Sequence, residues 1–381
     1  MDILLATPLL GGLSPLNFMR RHWQKKPLLI RQAVPGGASL LSRSQLYELA
    51  ARDDVESRLI VHNAGAWSLR HGPFKRSAIP SLKRPHWTLL VQGLDLHVEA
   101  AHELLRRFRF VPDARLDDLM LSYASNGGGV GPHVDSYDVF LLQVQGRRRW
   151  RIGRAKDKTC VPDVPLKVLA HFEPEQEWLL EAGDMLYLPP GWAHDGVAEV
   201  ECLTASIGFR APGRNEIGRE VLQRLLDDAE PVSADVLYRD PQQVATNEPA
   251  RIPIELRSFA LDAMKRALAD ERSFDCTLGE ILSEPKPGVW FDAPVPGTDA
   301  GGVTLDRRTR MLYDAQHIFI NGESFRAGGR DAKLMRRLAD QRHLSDADHR
   351  QLSAEALALL DGWAEDGWLH SGNSLNEGAP R

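Results

Sequence analysis

The sequence predicts a mixed α+β chain built around a central all-β barrel or sandwich, and three observations carry that expectation. Between about residues 118 and 210, short apolar runs (LMLSYA, YDVFLLQV, RRRWRIG, MLYLPP, LTASIGF) recur between glycines and prolines, the texture of closely spaced strands. After that window the apolar residues change to helical spacing. Toward the end, short strand-like runs and helical stretches mix again in a separate unit. A length of 381 residues also exceeds what one small core organises and suggests two or three domains.

In chain order, FMRRHWQKKPLLIRQA (18–33) reads as a helix end, a Lys-Pro break and a short buried strand. DLHVEAAHELLRRFRFV (95–111) reads as one amphipathic helix. The strand-rich window follows and ends at APGRNE (211–216). Ile217, Val221 and Leu225 then sit four residues apart, as on one helix face. LRSFALDAMKRALADE (256–271) gives a second helix, with Leu256, Phe259, Ala263 and Leu268 on the side expected to be buried. The segment 229–253 between these helices is loop-rich. Residues 285–298 carry four prolines and read as a linker. RMLYDA, HIFING and helices around 332–341 and 351–364 make a winged-helix-like unit, and the tail SGNSLNEGAPR is expected to be disordered. The expected division is therefore a catalytic β-rich domain over 1–212, a helical domain over 213–280, a winged-helix-like domain over 281–370 and a tail over 371–381.

Composition bounds the function. Hydrophobic residues make up 43% and charged residues 26%, ordinary for a soluble globular protein. The net charge of −5 argues against broad coating of nucleic acid, so no direct nucleic-acid binding is expected. It leaves room for a basic protein partner. The N-terminus lacks a basic start followed by a long apolar core, and no apolar run approaches a bilayer's thickness, so no membrane role is expected. Cys160, Cys202 and Cys276 are far apart and odd in number. They suit a reducing cytoplasm better than a disulfide framework.

The informative stretch is GGGVGPHVDSYDVFLLQVQGRRRWRIG (127–153). In an extended strand, residues i and i+2 share a face, so His133 and Asp135 project together. One imidazole and one carboxylate are two thirds of a facial triad. EAGDMLYLPPGWAHDG (181–196) supplies the third member: a turn, a strand and a tight Pro-Pro-Gly-Trp turn deliver His194 to the start of another strand. Two His and one carboxylate leave positions open on an octahedral metal, as non-haem Fe(II) oxygenases require for cosubstrate and O2. His22, His62, His86, His102, His171 and His343 show no comparable pairing and read as surface or structural.

RRRWRI (147–152) carries a second signal. In a strand, Arg148, Trp150 and Ile152 share one face, which the Trp and Ile mark as the interior one. A buried guanidinium is costly unless paired. No acidic residue alternates with Arg148, so a carboxylate ligand is its natural partner, held in bidentate fashion. The distal carboxylate of 2-oxoglutarate is such a group. Ser122, with Tyr123 on the preceding strand, could add a hydroxyl.

Taken together, FMRRHWQKKPLLIRQA, LDDLMLSY, GGGVGPHVDSYDVFLLQ, GRRRWRIG, GDMLYLPPGWAHDG and SIGFRAP resemble the bacterial ribosomal oxygenases of the JmjC group, most strongly over about 15–215. The resemblance implies a double-stranded β-helix barrel of the cupin/JmjC type that uses Fe(II), 2-oxoglutarate and O2. It implies metal ligands at His133, Asp135 and His194, a cosubstrate anchor at Arg148 and a supporting hydroxyl at Ser122. It further implies hydroxylation of an arginine β-carbon in a basic ribosomal protein, the sixteenth of the large subunit, and a homodimer formed through the helical segment. An arginine substrate needs acidic or aromatic partners, and Tyr137 and Asp138 are the candidates, with Asp117 and Asp118 more remote. SYASNGGG departs from the family's Ser-Val-Pro-like run at Ala124, Ser125 and Asn126. Rival readings are a ribosomal histidine hydroxylase, a JmjC lysine demethylase, a cupin enzyme using Mn, Ni or Zn, and a ribosome-binding protein without activity.

Overall fold

Alternation of side chains between two buried faces organises the first part of the molecule. The computed structural model describes residues 2–63, 65–227, 236–245, 250–268, 271–292 and 302–371. The chain divides into two units, Met1–Ala211 and Pro212–Arg381.

The first unit holds twelve strands among its described residues: β1 (Leu28–Ile30), β2 (Ser57–Asn63), β3 (Ala66–His71), β4 (Trp87–Val91), β5 (Leu116–Ala124), β6 (His133–Val134), β7 (Val139–Gln145), β8 (Arg147–Arg154), β9 (Gln176–Glu181), β10 (Met185–Leu188), β11 (Trp192–Ala198) and β12 (Cys202–Phe209). They form an eight-stranded sheet in the order β1-β10-β7-β12-β5-β4-β2-β3 and a four-stranded sheet in the order β6-β11-β8-β9. Every pairing in these sheets is antiparallel. From β5 onward the chain passes back and forth between the sheets, the double-stranded β-helix arrangement.

The near-continuous apolar runs now have a physical reason. Val139 and Leu141 of β7 and Leu186 and Leu188 of β10 pack against Trp150 and Ile152 of β8 between the sheets. Their alternating neighbours Phe140, Leu142, Met185 and Tyr187 pack on the other face. There they meet Phe18 of α1 (Pro15–Arg21), Leu46 and Leu49 of α2 (Arg43–Ala50), and Leu104 and Leu105 of α3 (Glu99–Arg106). A strand buried on both faces shows no period-two pattern.

The single helix expected over 95–111 is a correction. The structure has a 3-10 turn at Leu94–Leu96, α3 over eight residues, and turns beyond it. Asp95 accepts the Leu119 N–H at 2.8 Å. That bond ties the 3-10 turn to β5.

In the second unit, α4 (Arg214–Asp227), α5 (Ile254–Ala267) and α6 (Glu271–Ser283) follow one another. Short strands β13 (Val303–Leu305), β14 (Met311–Tyr313), β15 (His317–Ile320), β16 (Glu323–Arg326), β17 (His343–Leu344) and β18 (Leu369–Ser371) form two three-stranded sheets. With α7 (Gly329–Gln341), α8 (Asp346–His349) and α9 (Ala354–Glu365), they enclose a separate core around Leu338, Leu360 and Trp363. A second correction falls on α5. Leu256, Phe259, Ala263 and Leu268 are exposed rather than buried. Helical periodicity marks an apolar face but does not say what covers it. The stretch 371–381, except Ser371, and part of the Pro-rich linker lie outside the described residues.

Candidate metal and cosubstrate site

Strand register brings the site together. β6 pairs with β11 so that His133 lies directly opposite His194. Their ring centroids are 4.2 Å apart. Asp135 follows β6 by one residue. Its carboxylate lies 4.0 Å from His133 Nε2 and 3.6 Å from His194 Nε2. One donor atom from each of the three residues falls within 4.8 Å of the others, a spacing suited to one metal ion.

Two features of the backbone build this corner. Gly129 lies where a Cβ would meet the Gly196 carbonyl oxygen at 2.6 Å, so the approach to β6 must run without a side chain there. Gly191 has φ +80°, a left-handed turn residue that returns the chain into β11. Its N–H donates to the Asp135 carbonyl at 3.0 Å.

Hydrogen bonding prepares the donor atoms. The Nδ1 of His133 lies 2.9 Å from the Gly131 carbonyl and the Nδ1 of His194 lies 3.1 Å from the Trp192 carbonyl. A carbonyl only accepts, so each Nδ1 carries a proton, and Nε2 is the ring atom turned to the cluster as the metal-binding position. Burial, reinforced by His133, holds His194 well below the usual imidazole range and therefore neutral. Burial also pushes the Asp135 carboxyl up, against His133 and a hydrogen bond from Tyr137. A carboxylate placed in such surroundings is favoured by a cation among the three donors. The donor set fits a divalent metal of the imidazole- and carboxylate-binding kind.

Arg148 occupies the same barrel interior. It is 4% exposed, and strand alternation turns it inward beside Trp150 and Ile152 as expected. Its Nη1 donates to Ser122 Oγ and Thr204 Oγ1, both at 3.2 Å. Ser122 and Thr204 are themselves cross-strand partners on β5 and β12. Thr204 donates its own proton to Gln143 Oε1 at 3.0 Å. The Thr204 hydroxyl is thereby committed to accepting from Arg148, whereas Ser122 keeps a proton to give.

The Arg148 Nε is buried without a partner. Among the described residues no carboxylate pairs with this cation. Trp150 packs between the two groups, its ring 5.9 Å from that of His194 and 5.5 Å from the Arg148 guanidinium carbon. The Trp150 indole N–H is likewise buried and unpartnered. A buried, unneutralised guanidinium with free donors is the complement of an anionic ligand.

The odd-numbered arginines behave differently. Arg149 pairs with Glu177 and Glu199, and Arg151 with Asp195, toward the outside of the barrel.

The two candidate substrate contacts separate. Tyr137 is 39% exposed beside Asp135, and partial burial together with Asp135, Asp118 and Asp117 pushes its phenol up. Asp138 is wholly buried. It accepts from Tyr187 Oη at 2.6 Å and Gln24 Nε2 at 3.0 Å, and it lies 3.7 Å from Arg115. That carboxylate fastens the N-terminal segment to the barrel and does not face an incoming side chain, which corrects the expectation for it. Nothing in the sequence singles out Thr204 and Gln143. The alternation in LTASIGF places Thr204 on one face, but only the pairing of β12 with β5 sets it opposite Ser122.

A JmjC domain family model matches residues 103–217 and a ROXA-like winged-helix model matches residues 266–370. The chain is 36% identical over 331 residues to the ribosomal protein uL16 3-hydroxylase of Escherichia coli, covering 83% of this chain and 86% of that protein. It is similar to the X-ray structure of E. coli YcfD, with a TM-score of 0.84 and 30% identity over 94% of this chain and 98% of the other. It is similar as well to the E. coli ribosomal oxygenase YcfD in complex with cobalt and 2-oxoglutarate, with a TM-score of 0.79, 31% identity and the same coverage.

Proposed function

The chain belongs to the JmjC-domain ribosomal oxygenases, and we propose that it hydroxylates the β-carbon of an arginine in large-subunit ribosomal protein uL16. It is an Fe(II)- and 2-oxoglutarate-dependent oxygenase. The observation that carries the reading is the coincidence, in one barrel, of a His-Asp-His cluster and a buried cation without a carboxylate partner. The 3-position in the relative's name is the β-carbon of an amino acid, and that relative is matched over most of its length.

In this reading His133, Asp135 and His194 hold the metal, and Arg148 with Ser122 holds the distal carboxylate of 2-oxoglutarate. Fe(II), when bound, supplies the activation of O2 that couples decarboxylation of 2-oxoglutarate to succinate with insertion of one oxygen atom into the substrate. The protein's own contribution is positioning. Thr204 and Gln143 fix the guanidinium, the Gly131 and Trp192 carbonyls fix the imidazoles, and Trp150 closes the space between the two groups against water. Tyr137 stands at the exposed side of Asp135. It offers a phenol face to a guanidinium, whereas Asp118 is buried and accepts from Gln92 and the Gly93 N–H, and Asp117 pairs with Arg210. A ribosomal protein substrate supports a cytoplasmic reaction. Among the described residues no helix is long and apolar enough to cross a membrane.

Mass spectrometry of large-subunit proteins from cells with and without the enzyme tests the substrate. The expected result is a gain of one oxygen atom on a single uL16 arginine that disappears with the enzyme. A modified histidine in its place, or an unmodified uL16, contradicts the assignment.

Homodimerisation through the helical segment belongs to the same reading. Leu222 and Leu226 on α4, and Ile254, Phe259 and Met264 on α5, are all exposed. Apolar faces of this kind mark association surfaces. Light scattering on the intact protein is expected to give twice the chain mass, and the double substitution Phe259→Asp, Met264→Asp is expected to halve it. A monomer before substitution removes the proposal.

A further inference from the structure

Charge is unevenly placed along this acidic chain. Residues 57–94 contain Arg58, Arg70, Lys75, Arg76, Lys83 and Arg84 and no Asp or Glu. Taking those six from the 47 basic residues leaves 41 against 52 acidic, so the remainder stands at −11 while this window stands at +6. The mean value of −5, which argues against nucleic acid, conceals a basic face.

The fold gathers these residues. β3 is the outer edge of the eight-stranded sheet, and residues 72–86 run back along the β2–β3 hairpin. Arg70 Nη2 donates to the Ala78 carbonyl at 2.7 Å, and Arg76 Nη1 to the Ile79 carbonyl at 3.1 Å. At the hairpin tip, the Asn63 side-chain oxygen accepts from Arg84 Nη2 at 3.0 Å when its amide is oriented to suit both neighbours. Each arginine is thus oriented by a neutral oxygen, which leaves its charge uncompensated. Arg70, Lys75, Arg76, Lys83 and Arg84 are exposed, and among the described residues none pairs with a carboxylate. Only Arg58 has an acidic neighbour, Glu56 at 3.9 Å.

Aromatic rings share the hairpin. His62 stacks on Trp67 with centroids 4.1 Å apart and planes 17° apart, and His86 stands edge-on to His62 at 6.5 Å. Gly131, two residues before His133, is packed so closely that a Cβ there would meet the Trp67 ring at 3.0 Å. The basic face therefore adjoins the approach to the metal cluster.

We propose that this face, built on the β2–β3 hairpin and residues 72–86, docks single-stranded RNA. Uncompensated arginines and lysines attract phosphates and release counterions. Rings beside them offer a stacking surface to the bases of a nucleic acid, a partner that the carboxylates of an acidic peptide or the headgroups of a phospholipid do not supply. The relevance of RNA rests on the proposed function, because a ribosomal protein substrate is met beside ribosomal RNA. The binding itself does not depend on hydroxylation.

Fluorescence anisotropy of the full chain with a labelled oligouridylate tests the proposal. The unsubstituted protein is expected to bind, with log K falling against log salt by about 0.7 per phosphate contacted. The fourfold variant Lys75→Gln, Arg76→Gln, Lys83→Gln, Arg84→Gln is expected to bind at least about tenfold more weakly and with a shallower salt slope. Its decarboxylation of 2-oxoglutarate with a short uL16 peptide should be unchanged, which also reports correct folding. The pair Lys75→Glu, Lys83→Glu, at two exposed lysines alone, should weaken binding in the same direction. No binding by the unsubstituted protein at low salt, or binding by both variants as tight as that of the unsubstituted protein, overturns the proposal. Competition by polyglutamate or anionic phospholipid vesicles as effective as that by unlabelled RNA overturns it as well. Failure of RNA binding with intact peptide hydroxylation would leave the enzymatic reading standing.

Discussion

His133→Ala is expected to abolish substrate-dependent decarboxylation of 2-oxoglutarate. The substitution removes one of three donors and leaves only His194 and Asp135 near the metal position. Loss of an outer-shell partner alone typically costs about 10–100-fold in metal affinity or activity, so loss of a ligand should exceed about a hundredfold. The fold should tolerate the change. His133 is half-buried, and its β6 strand contributes only two residues to a sheet otherwise held by β11, β8 and β9. Succinate release measured beside a thermal melt separates the two effects. Retained turnover in a folded variant would remove the iron assignment, whereas a large loss of melting temperature would show that the residue also holds the barrel together.

Arg148→Ala is expected to raise the KM for 2-oxoglutarate by about a hundredfold while kcat at saturation falls much less. Hydrogen bonds to charged groups contribute about 1.5–3 kcal/mol net, and about 2.7 kcal/mol corresponds to a hundredfold in affinity at 25 °C. The guanidinium touches the cosubstrate's far end rather than the reacting atoms, so the loss should appear as uniform binding. Stability should not suffer in proportion, because the substitution also removes a buried cation that lacks a carboxylate partner in the free protein. Arg148→Lys should fall between the two, since an ammonium keeps the charge but cannot donate to Ser122, Thr204 and a carboxylate in the same fork geometry. An unchanged KM in the alanine variant would take Arg148 out of the cosubstrate site.

Local alternation makes much of this site legible in the sequence. His133 and Asp135 are separated by one residue at the end of β6, and Arg148 shares a face with Trp150 and Ile152 in β8, so both placements follow from the alternation of extended backbone. His194 needs a turn as well, and the Pro-Pro-Gly-Trp sequence supplies it through the left-handed Gly191. Thr204 and Gln143 stay hidden because their role depends on register between strands distant in sequence. Asp138 misleads for the opposite reason. Nearness to the ligands in sequence says nothing about which face of the chain a residue takes, and Asp138 turns toward Tyr187, Gln24 and Arg115. The exposed face of α5 marks a third limit, since amphipathic spacing is the same whether a neighbouring helix or a second chain covers it.

The most direct test of the central claim is a paired measurement on one reaction, with succinate and hydroxylated uL16 peptide quantified together after addition of Fe(II), 2-oxoglutarate and O2. The account predicts that both products form in step, that the added oxygen sits on an arginine β-carbon, and that both vanish in His133→Ala. Hydroxylation without succinate, or succinate formation that survives loss of His133, would contradict it.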